Sequence, residues 1–401
     1  MSKVISPAKL KVALLAIALQ DAAAGASSPA LASIIASFPS FAPSTVMLIA
    51  SVPALVQGIV ALCYGKLSGM FRKRPLLFFG LACFIIGGAG PFFLNNLYAI
   101  LAMRALVGVG AGICFPMSLN LIADFFEGSE KDNLMGYSSA VGGLSGVIFQ
   151  SLGGILTATF GWHYCFLTYL LVILIVIIAY VWLPEPERKQ VSGENLNAPK
   201  AQVKLPASIF ILSFFALVWT MLNFVLITNS AIYIEAAGFG NAAAAGTVLS
   251  AMTAGALCGG VVFGRIKKVI GSYVIPLLFF WSCASFILIY YAPNLMAVIV
   301  GGAIAGLSLG SQIPAFAAMV TDLTDQASHA WAIGIFFVAN CVAQFIQAPV
   351  YDIAINGLGV DYGRDLFGVS AVGFIAAGVI VLIWTIFMRK SLKPGKTEAG
   401  Q

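Results

Sequence analysis

The sequence predicts an all-α integral membrane protein with twelve transmembrane helices in two six-helix bundles related by pseudo-two-fold symmetry. Of its 401 residues, 60% are hydrophobic and only 9% are charged, whereas about 25% of residues are charged in a typical soluble domain. Apolar runs of about 20 residues, each long enough to cross ~30 Å of hydrocarbon, recur along the chain. They lie at about 10–36, 44–64, 76–94, 98–123, 134–159, 164–183, 207–234, 242–263, 273–292, 295–321, 330–356 and 366–388.

An internal repeat accounts for the two bundles. The motif of Gly108, Gly112, Pro116, Asp124 and Glu127 recurs 198 residues later as Gly306, Gly310, Pro314, Asp322 and Asp325. Because each half has six spans, the two copies share one orientation, as in bundles related by an axis along the membrane normal. We therefore expect an N-terminal bundle over 1–183, a charged and proline-rich linker over 184–206, a C-terminal bundle over 207–388 and a tail over 389–401.

The basic residues predict the orientation of the chain. Of the 21 lysines and arginines, 19 fall in the termini and loops on one side. The other two are Arg364, on the opposite side, and Arg104, inside a span. The positive-inside rule then places both termini and the linker in the cytoplasm, with the protein in the plasma (inner) membrane of a bacterium.

Two ionisable residues lie deep in predicted spans, Asp21 in the first and Arg104 in the fourth. At 1.5 Å per residue their depths differ by only ~5 Å. Each costs ~2.5 to 3.5 kcal/mol at a helix centre, so we expect both to face a polar cavity and each other. Protonating Asp21 near neutral pH costs a comparable amount, roughly 4 kcal/mol. Proton coupling through this pair, a static buried ion pair, and direct substrate binding are the alternatives.

Uncharged polar residues predict the wall of a substrate cavity. Asn340, Gln344, Gln347 and Tyr351 form one helical stripe in the eleventh span. The other candidates are Trp219, Asn223 and Ser230 in the seventh span and the single amides Gln57, Gln150 and Gln312. Such amides also serve as interhelical hydrogen bonds worth about 0.6 kcal/mol each. A cavity with so little charge favours a small neutral, amphipathic or weakly cationic substrate over a polyanion.

Charges at the cytoplasmic ends of the spans predict a gating latch. Asp124 and Asp322 end the fourth and tenth spans, where the helix dipole is negative and a cation is favoured. The loops after the second and eighth spans supply Arg72, Lys73 and Arg74 and then Arg265, Lys267 and Lys268. Solvated loop charges without a gating role are the alternative.

These motifs resemble those of the major facilitator superfamily, specifically its twelve-span drug:proton antiporter-like members. GKLSGMFRKRP resembles the family's signature after the second span at Gly65, Lys73 and Arg74. RALVGVGAG resembles the pattern of the fourth span through Arg104, Gly108, Gly110 and Gly112. The resemblance implies a gating role for the loop at Gly65 and a proton-coupling role for Arg104.

The residues and the resemblance together predict a secondary active transporter that works by alternating access, with proton-coupled efflux of its substrate. Facilitated transport or uptake of a sugar or metabolite, without proton coupling through Asp21, is the alternative. An enzyme or a membrane sensor is disfavoured, since the two histidines, His163 and His329, fall on opposite sides and no soluble signalling domain is evident. The expected partners are the substrate, protons and lipid, for a monomer without cofactor, metal or nucleic acid.

Overall fold

Helices form all the regular structure that we describe. The computed structural model describes residues 6–20, 23–186, 205–324 and 328–391. The helices of the first half are α1 (Pro7–Ala18), α2 (Leu31–Ser37), α3 (Pro43–Met70), α4 (Lys73–Ala89), α5 (Leu97–Phe125), α6 (Gly128–Phe160) and α7 (Val172–Trp182). Those of the second half are α8 (Ala207–Ala236), α9 (Ala242–Ile270), α10 (Val274–Tyr290), α11 (Leu295–Leu323), α12 (His329–Leu358) and α13 (Arg364–Ser391). Turns of 3-10 helix occupy Ala23–Ala30, Gly90–Phe93, Trp162–Leu171 and Gly271–Tyr273.

The predicted all-α membrane fold is confirmed. Within the described ranges, eleven helical segments are long and apolar enough to cross a membrane, and one of them, Ala242–Tyr290, has 49 residues. A continuous helix of that length would extend about 74 Å, more than twice the hydrocarbon thickness. The segment instead reverses at Gly271, where φ is +63°. Helices α9 and α10 are therefore separate crossings, which gives twelve.

Contacts with α11 show that α9 and α10 are antiparallel. Along α9, Gly255 faces Ala303 and Gly259 faces Leu307, so α9 and α11 run in the same direction. Along α10, the order is reversed, because Ser285 donates to the Gly301 carbonyl whereas Ser282 contacts Ser308. An even number of crossings places the start of α1 and the end of α13 on one side. We call this the terminal side and the opposite side the distal side.

Several helices extend beyond the predicted spans. Helix α3 continues to Met70, so Gly65 lies inside a helix and not in a loop. Helix α9 continues to Ile270 and carries Lys267 and Lys268 in its last turn. Cations at a helix C-terminus interact favourably with the helix dipole, which accounts for this extension. The prediction that Gly65, Lys267 and Lys268 lie in loops was therefore wrong.

Each half has its own hydrophobic core, one among α1 to α7 and one among α8 to α13. The halves contact each other mainly through α3 with α12 and α6 with α9. The boundaries expected for the linker and the tail remain predictions, and residues 187–204 and 392–401 lie outside the described residues.

The repeated glycines allow the same close approach of two helices in both halves. A Cβ atom added at Gly108 of α5 would lie 2.5 Å from the Pro53 carbonyl oxygen of α3. A Cβ atom added at Gly306 of α11 would lie 1.9 Å from the Met252 carbonyl oxygen of α9. Glycine is required at both positions because the neighbouring backbone occupies the space of a side chain.

Candidate functional site

A cavity of about 310 Å³ lies between the two halves. Six of the residues predicted to form the substrate site line it, namely Gln57, Trp219, Asn223, Gln312, Asn340 and Gln344. The other lining residues are Phe115, Thr220, Phe224, Ile227, Met252, Leu309, Ile313, Phe336, Phe337 and Cys341. Among these residues none is charged, so the described wall combines aromatic surface with carboxamides, as is typical of small-molecule sites.

Hydrogen bonds fix the carboxamide of Asn340 at the centre of this wall. Its oxygen accepts from Thr220 Oγ1 at 2.5 Å and from Gln312 Nε2 at 2.9 Å. Its nitrogen donates to the Phe336 carbonyl at 3.0 Å. The network joins α8, α11 and α12, so the cavity wall in the second half is rigid.

Three other predicted cavity residues lie elsewhere. Gln150 accepts a hydrogen bond from Thr253 Oγ1 at 2.9 Å and so joins α6 to α9. Gln347 accepts from Thr228 Oγ1 at 3.1 Å, and Ser230 is fully buried near the distal end of α8. The stripe on α12 lines the cavity only through Asn340 and Gln344, because its distal part packs against α8 and α13.

The Arg104 side chain is completely buried and bound by neutral oxygen atoms. Its Nε donates to the Ile49 carbonyl at 2.8 Å, one terminal nitrogen to the Tyr169 hydroxyl at 2.6 Å and the other to the Ala24 carbonyl at 2.9 Å. Tyr169 also donates to the Ala24 carbonyl at 2.9 Å. Among the described residues no carboxylate contacts Arg104, and the acceptors that these residues supply are two backbone carbonyls and one phenol.

The local sequence explains why these acceptors are available. Pro53 lies four residues after Ile49 in α3 and has no backbone N–H, so the Ile49 carbonyl lacks its helical partner. Ala24 belongs to the 3-10 segment Ala23–Ala30, where the tighter winding redirects its carbonyl group. Tyr169, in the 3-10 segment Trp162–Leu171, contributes its side-chain hydroxyl. Sequence reasoning identified Arg104 but missed its acceptors, for which Pro53 was the available signal.

Of the predicted coupling pair, the structure places only Arg104 relative to the cavity. Asp21 lies outside the described residues. Arg104 does not line the cavity, since its acceptor Ile49 is eight residues, about 12 Å along α3, from Gln57 on the distal side.

On the distal side, a carboxylate that the sequence analysis missed joins the two halves. Asp352 of α12 accepts a hydrogen bond from Ser44 of α3 at 3.1 Å and from the Tyr362 hydroxyl at 2.9 Å. Burial, the hydrogen bond to Asp352 and the negative charge of that residue raise the pKa of Tyr362, which therefore remains a donor. We call Ser44, Asp352 and Tyr362 the distal latch. Asp352 gave no strong signal because it lies about 9 Å from the end of its helix.

Replacing Asp352 with alanine is expected to open the cavity to the distal side. The change removes the acceptor of both latch hydrogen bonds, so the direct bond between Ser44 of α3 and α12 is lost. We expect a membrane-impermeant maleimide, added from the distal side of proteoliposomes, to label the cavity residue Cys341 several times faster. Asp365→Ala, which changes a carboxylate in the first turn of α13, is the control. Equal labelling rates in the three proteins would contradict a latch.

The predicted gating residues on the terminal side are only partly brought together. Lys73 Nζ lies 2.5 Å from Asp124 Oδ2, within the first half. Arg74 instead donates to the Tyr180 carbonyl of α7 at 2.6 Å. A Cβ atom at Gly65 would meet no neighbour within 4 Å, and the side chain of Asp322 lies outside the described ones.

An aromatic pair lies between the cavity and the terminal side. The rings of Phe115 and Phe337 are nearly parallel, at 7°, with centroids 5.9 Å apart. Phe115 belongs to α5 and Phe337 to α12, so the pair joins the two halves. No spacing in the sequence predicted this contact.

Comparison with known proteins gives the family. A model of the Major Facilitator Superfamily matches residues 13–348. The chain belongs to the Major Facilitator Superfamily. The Arg104 site and the cavity between the halves lie within the matched region.

Relatives of this Major Facilitator Superfamily member match over limited segments. Multidrug resistance protein 3 of Bacillus subtilis is 35% identical over 103 residues, which is 26% of this chain and 20% of that protein. The riboflavin transporter RibZ of Clostridioides difficile is 29% identical over 133 residues, which is 33% of this chain and 29% of that protein. The matches therefore span less than a third of each relative.

Solved structures share the superfamily fold along nearly the whole chain. A bacterial homologue of the human lysosomal transporter Spinster, in an inward-facing and unoccupied conformation, has a TM-score of 0.71 at 15% identity over 95% of both chains. A POT family transporter in complex with 5-aminolevulinic acid has a TM-score of 0.76 at 13% identity, over 94% of this chain and 96% of that one. At these identities the comparison concerns the fold alone.

Proposed function

We propose that this transporter is a proton-coupled exporter of small neutral, amphipathic or weakly cationic molecules. The observation that carries the proposal is the buried Arg104 guanidinium, which is held by two carbonyls and one phenol. No carboxylate among the described residues pairs with this cation, and a buried cation without a counter-ion is costly. The site therefore favours a carboxylate that is available in one state of the transport cycle and neutralised in another.

Asp21 is the proposed proton-carrying group. It precedes Ala24, an acceptor of Arg104, by three residues, so the peptide chain keeps the two Cα atoms within ~11 Å. In this proposal ionised Asp21 pairs with Arg104, and protonation releases the pair. Released Arg104 relies on its three neutral acceptors, which belong to α3 and to the 3-10 segments of the first and sixth crossings.

The coupling acts on α3, which connects the three relevant regions. It carries Ser44 of the distal latch, the Arg104 acceptor Ile49 and the cavity residue Gln57. A change in the charge balance at Arg104 can therefore shift α3 and alter both the latch and the cavity. This arrangement supports alternating access, in which the first half rocks against the second around the cavity.

The direction and setting of transport are parts of the same proposal. The lysine and arginine distribution supports a cytoplasmic terminal side, so the cavity below the distal latch would take up substrate from the cytoplasm. The limited match to a multidrug resistance protein supports export. Each half buries its own core, which supports a monomer as the working unit.

Asp21→Asn tests the proton coupling. In proteoliposomes with an imposed pH gradient, we expect wild-type protein to accumulate riboflavin or ethidium. The variant should accumulate at least tenfold less than wild type, because asparagine cannot release a proton. Glu235→Gln, at an exposed carboxylate near the end of α8, is the matched control and should transport normally. Undiminished gradient-driven accumulation by Asp21→Asn would overturn the coupling.

Facilitated transport of a metabolite is the second candidate. The absence of charge among the described lining residues and the match to a riboflavin transporter favour it. In that case equilibrating exchange of riboflavin should persist in Asp21→Asn and should not depend on the pH gradient in either protein.

A further inference from the structure

We infer that Asn223 is a hydrogen-bond acceptor prepared for the transported molecule, and that this molecule is flat, largely apolar and carries an N–H or O–H donor. The inference rests on the proposed function, because it assigns the ligand class of the same cavity.

The chain of hydrogen bonds begins at the Leu278 carbonyl, which can only accept. Ser308 Oγ donates its single proton to this carbonyl at 3.1 Å. Ser282 Oγ lies 2.8 Å from Ser308 Oγ. Because the Ser308 proton is already used, Ser282 must donate its own proton to Ser308.

This direction fixes the orientation of the Asn223 carboxamide. The Ser282 hydroxyl already donates its proton to Ser308, so toward Asn223 it can only accept. Asn223 Nδ2 donates to it at 3.3 Å. The carboxamide oxygen is thereby turned away from Ser282. Trp219 Nε1 also donates to the Leu278 carbonyl, at 3.4 Å, so Trp219 and Ser308 share one backbone acceptor in this wall of the cavity.

The oxygen of Asn223 is left without a partner. The side chain is 2% exposed and lines the cavity, yet its Oδ1 atom has no hydrogen-bond partner among the described residues. An unpaired buried acceptor is unfavourable, and a donor on a bound molecule would remove that penalty. Asn340 cannot substitute for it, because the Asn340 oxygen already accepts two hydrogen bonds.

The remaining wall favours a flat aromatic body. Five of the lining residues are aromatic, and they are Phe115, Trp219, Phe224, Phe336 and Phe337. Phe115 and Phe337 present nearly parallel rings, and Phe336 stacks on Phe316 at 15°. Aromatic faces bind planar apolar ligands by stacking and edge contacts.

Acridone and N-methylacridone form a matched pair of fluorescent probes for this site. Both are planar and neutral, and they differ in one N–H donor. Their binding to the purified full-length protein in detergent is followed by fluorescence anisotropy. We expect wild-type protein to bind acridone about tenfold more tightly, since a ligand without the donor leaves a buried polar group unpaired.

Two variants assign the preference to Asn223. Asn223→Leu keeps the size of the side chain without its acceptor. We expect its dissociation constants for the two probes to agree within twofold. Asn223→Asp, when protonated in the apolar wall, donates to Ser282 and keeps a carbonyl acceptor, so we expect it to retain the preference for acridone. This second variant also guards against a folding defect in the first.

The outcomes separate this inference from the proposed function. A preference for acridone that persists in Asn223→Leu, equal binding of the two probes by wild-type protein, or no binding of either probe would overturn the inference. A preference that depends on Asn223 in a protein that accumulates no substrate under a pH gradient would support the inference and refute the proposed function. Gradient-driven transport by a protein that binds the two probes equally would support the proposed function and refute the inference.

Discussion

Arg104→Lys is expected to abolish gradient-driven transport and to lower the thermal unfolding midpoint. Arg104 reaches three acceptors on three segments, those of Ile49, Ala24 and Tyr169. An ammonium group is a compact point charge and cannot span them, so at least two hydrogen bonds are lost. At about 1.5 to 3 kcal/mol for each hydrogen bond to a charged group, the loss is roughly 3 to 6 kcal/mol.

A second arginine provides the control for this experiment. Arg364 also donates to a carbonyl, that of Tyr290 at 2.7 Å, and stacks on the Tyr290 ring at 4.7 Å, but it is exposed. Arg364→Lys should therefore leave transport within about twofold of wild type, as is usual for a solvated cation. Transport and thermal unfolding are measured on both variants in parallel. Wild-type behaviour of Arg104→Lys would show that charge alone suffices at this site.

Gly259→Ala is expected to destabilise the second half strongly, whereas Gly260→Ala is not. An added Cβ atom at Gly259 would lie 2.1 Å from the Leu307 carbonyl oxygen of α11, and backbone atoms cannot rotate away. At the adjacent Gly260 the nearest atom, the Gly310 carbonyl oxygen, is 3.6 Å away, which is ordinary contact. Helices α9 and α11 share the most extensive helix contact in the described structure, so forcing them apart affects the whole half.

Gly259→Ala and Gly260→Ala make the same change in helix propensity and differ in the steric clash with the Leu307 carbonyl oxygen. Alanine is favoured over glycine in a helix by about 1 kcal/mol, and both variants gain this term. Overpacking costs typically about 1 to 3 kcal/mol, and contact with rigid backbone puts Gly259→Ala at the upper end. We therefore expect its thermal unfolding midpoint to fall by several degrees and that of Gly260→Ala to stay level or rise. Equal midpoints would mean that α9 and α11 separate without cost.

The fold was predictable because the membrane imposes simple rules on the sequence. Apolar runs must form helices, since each backbone polar group in hydrocarbon needs an internal partner. The spacing of Asn340 and Gln344 on α12, and of Trp219 and Asn223 on α8, also placed these residues on the cavity. Helical periodicity predicts which residues share a face, and the cavity follows from that.

Other features depend on information that periodicity does not contain. Gln347 belongs to the same stripe as Gln344 but packs against Thr228, because a stripe does not indicate where a cavity ends. Two of the three acceptors of Arg104 are backbone carbonyls, which have no side-chain signature apart from Pro53. The distal latch required knowledge that Ser44 and Asp352, 308 residues apart, meet across the halves.

The rings of Phe115 and Phe337 imply that two motions with different timescales act on the release of a bound molecule. A half of the protein moves as a body on the order of microseconds to milliseconds, whereas a side chain changes rotamer within about picoseconds to nanoseconds when it is free to turn. The two rings touch across the halves between the cavity and the terminal side. We therefore expect a smaller residue at either ring to shorten the residence time of a bound molecule without slowing the movement of the halves.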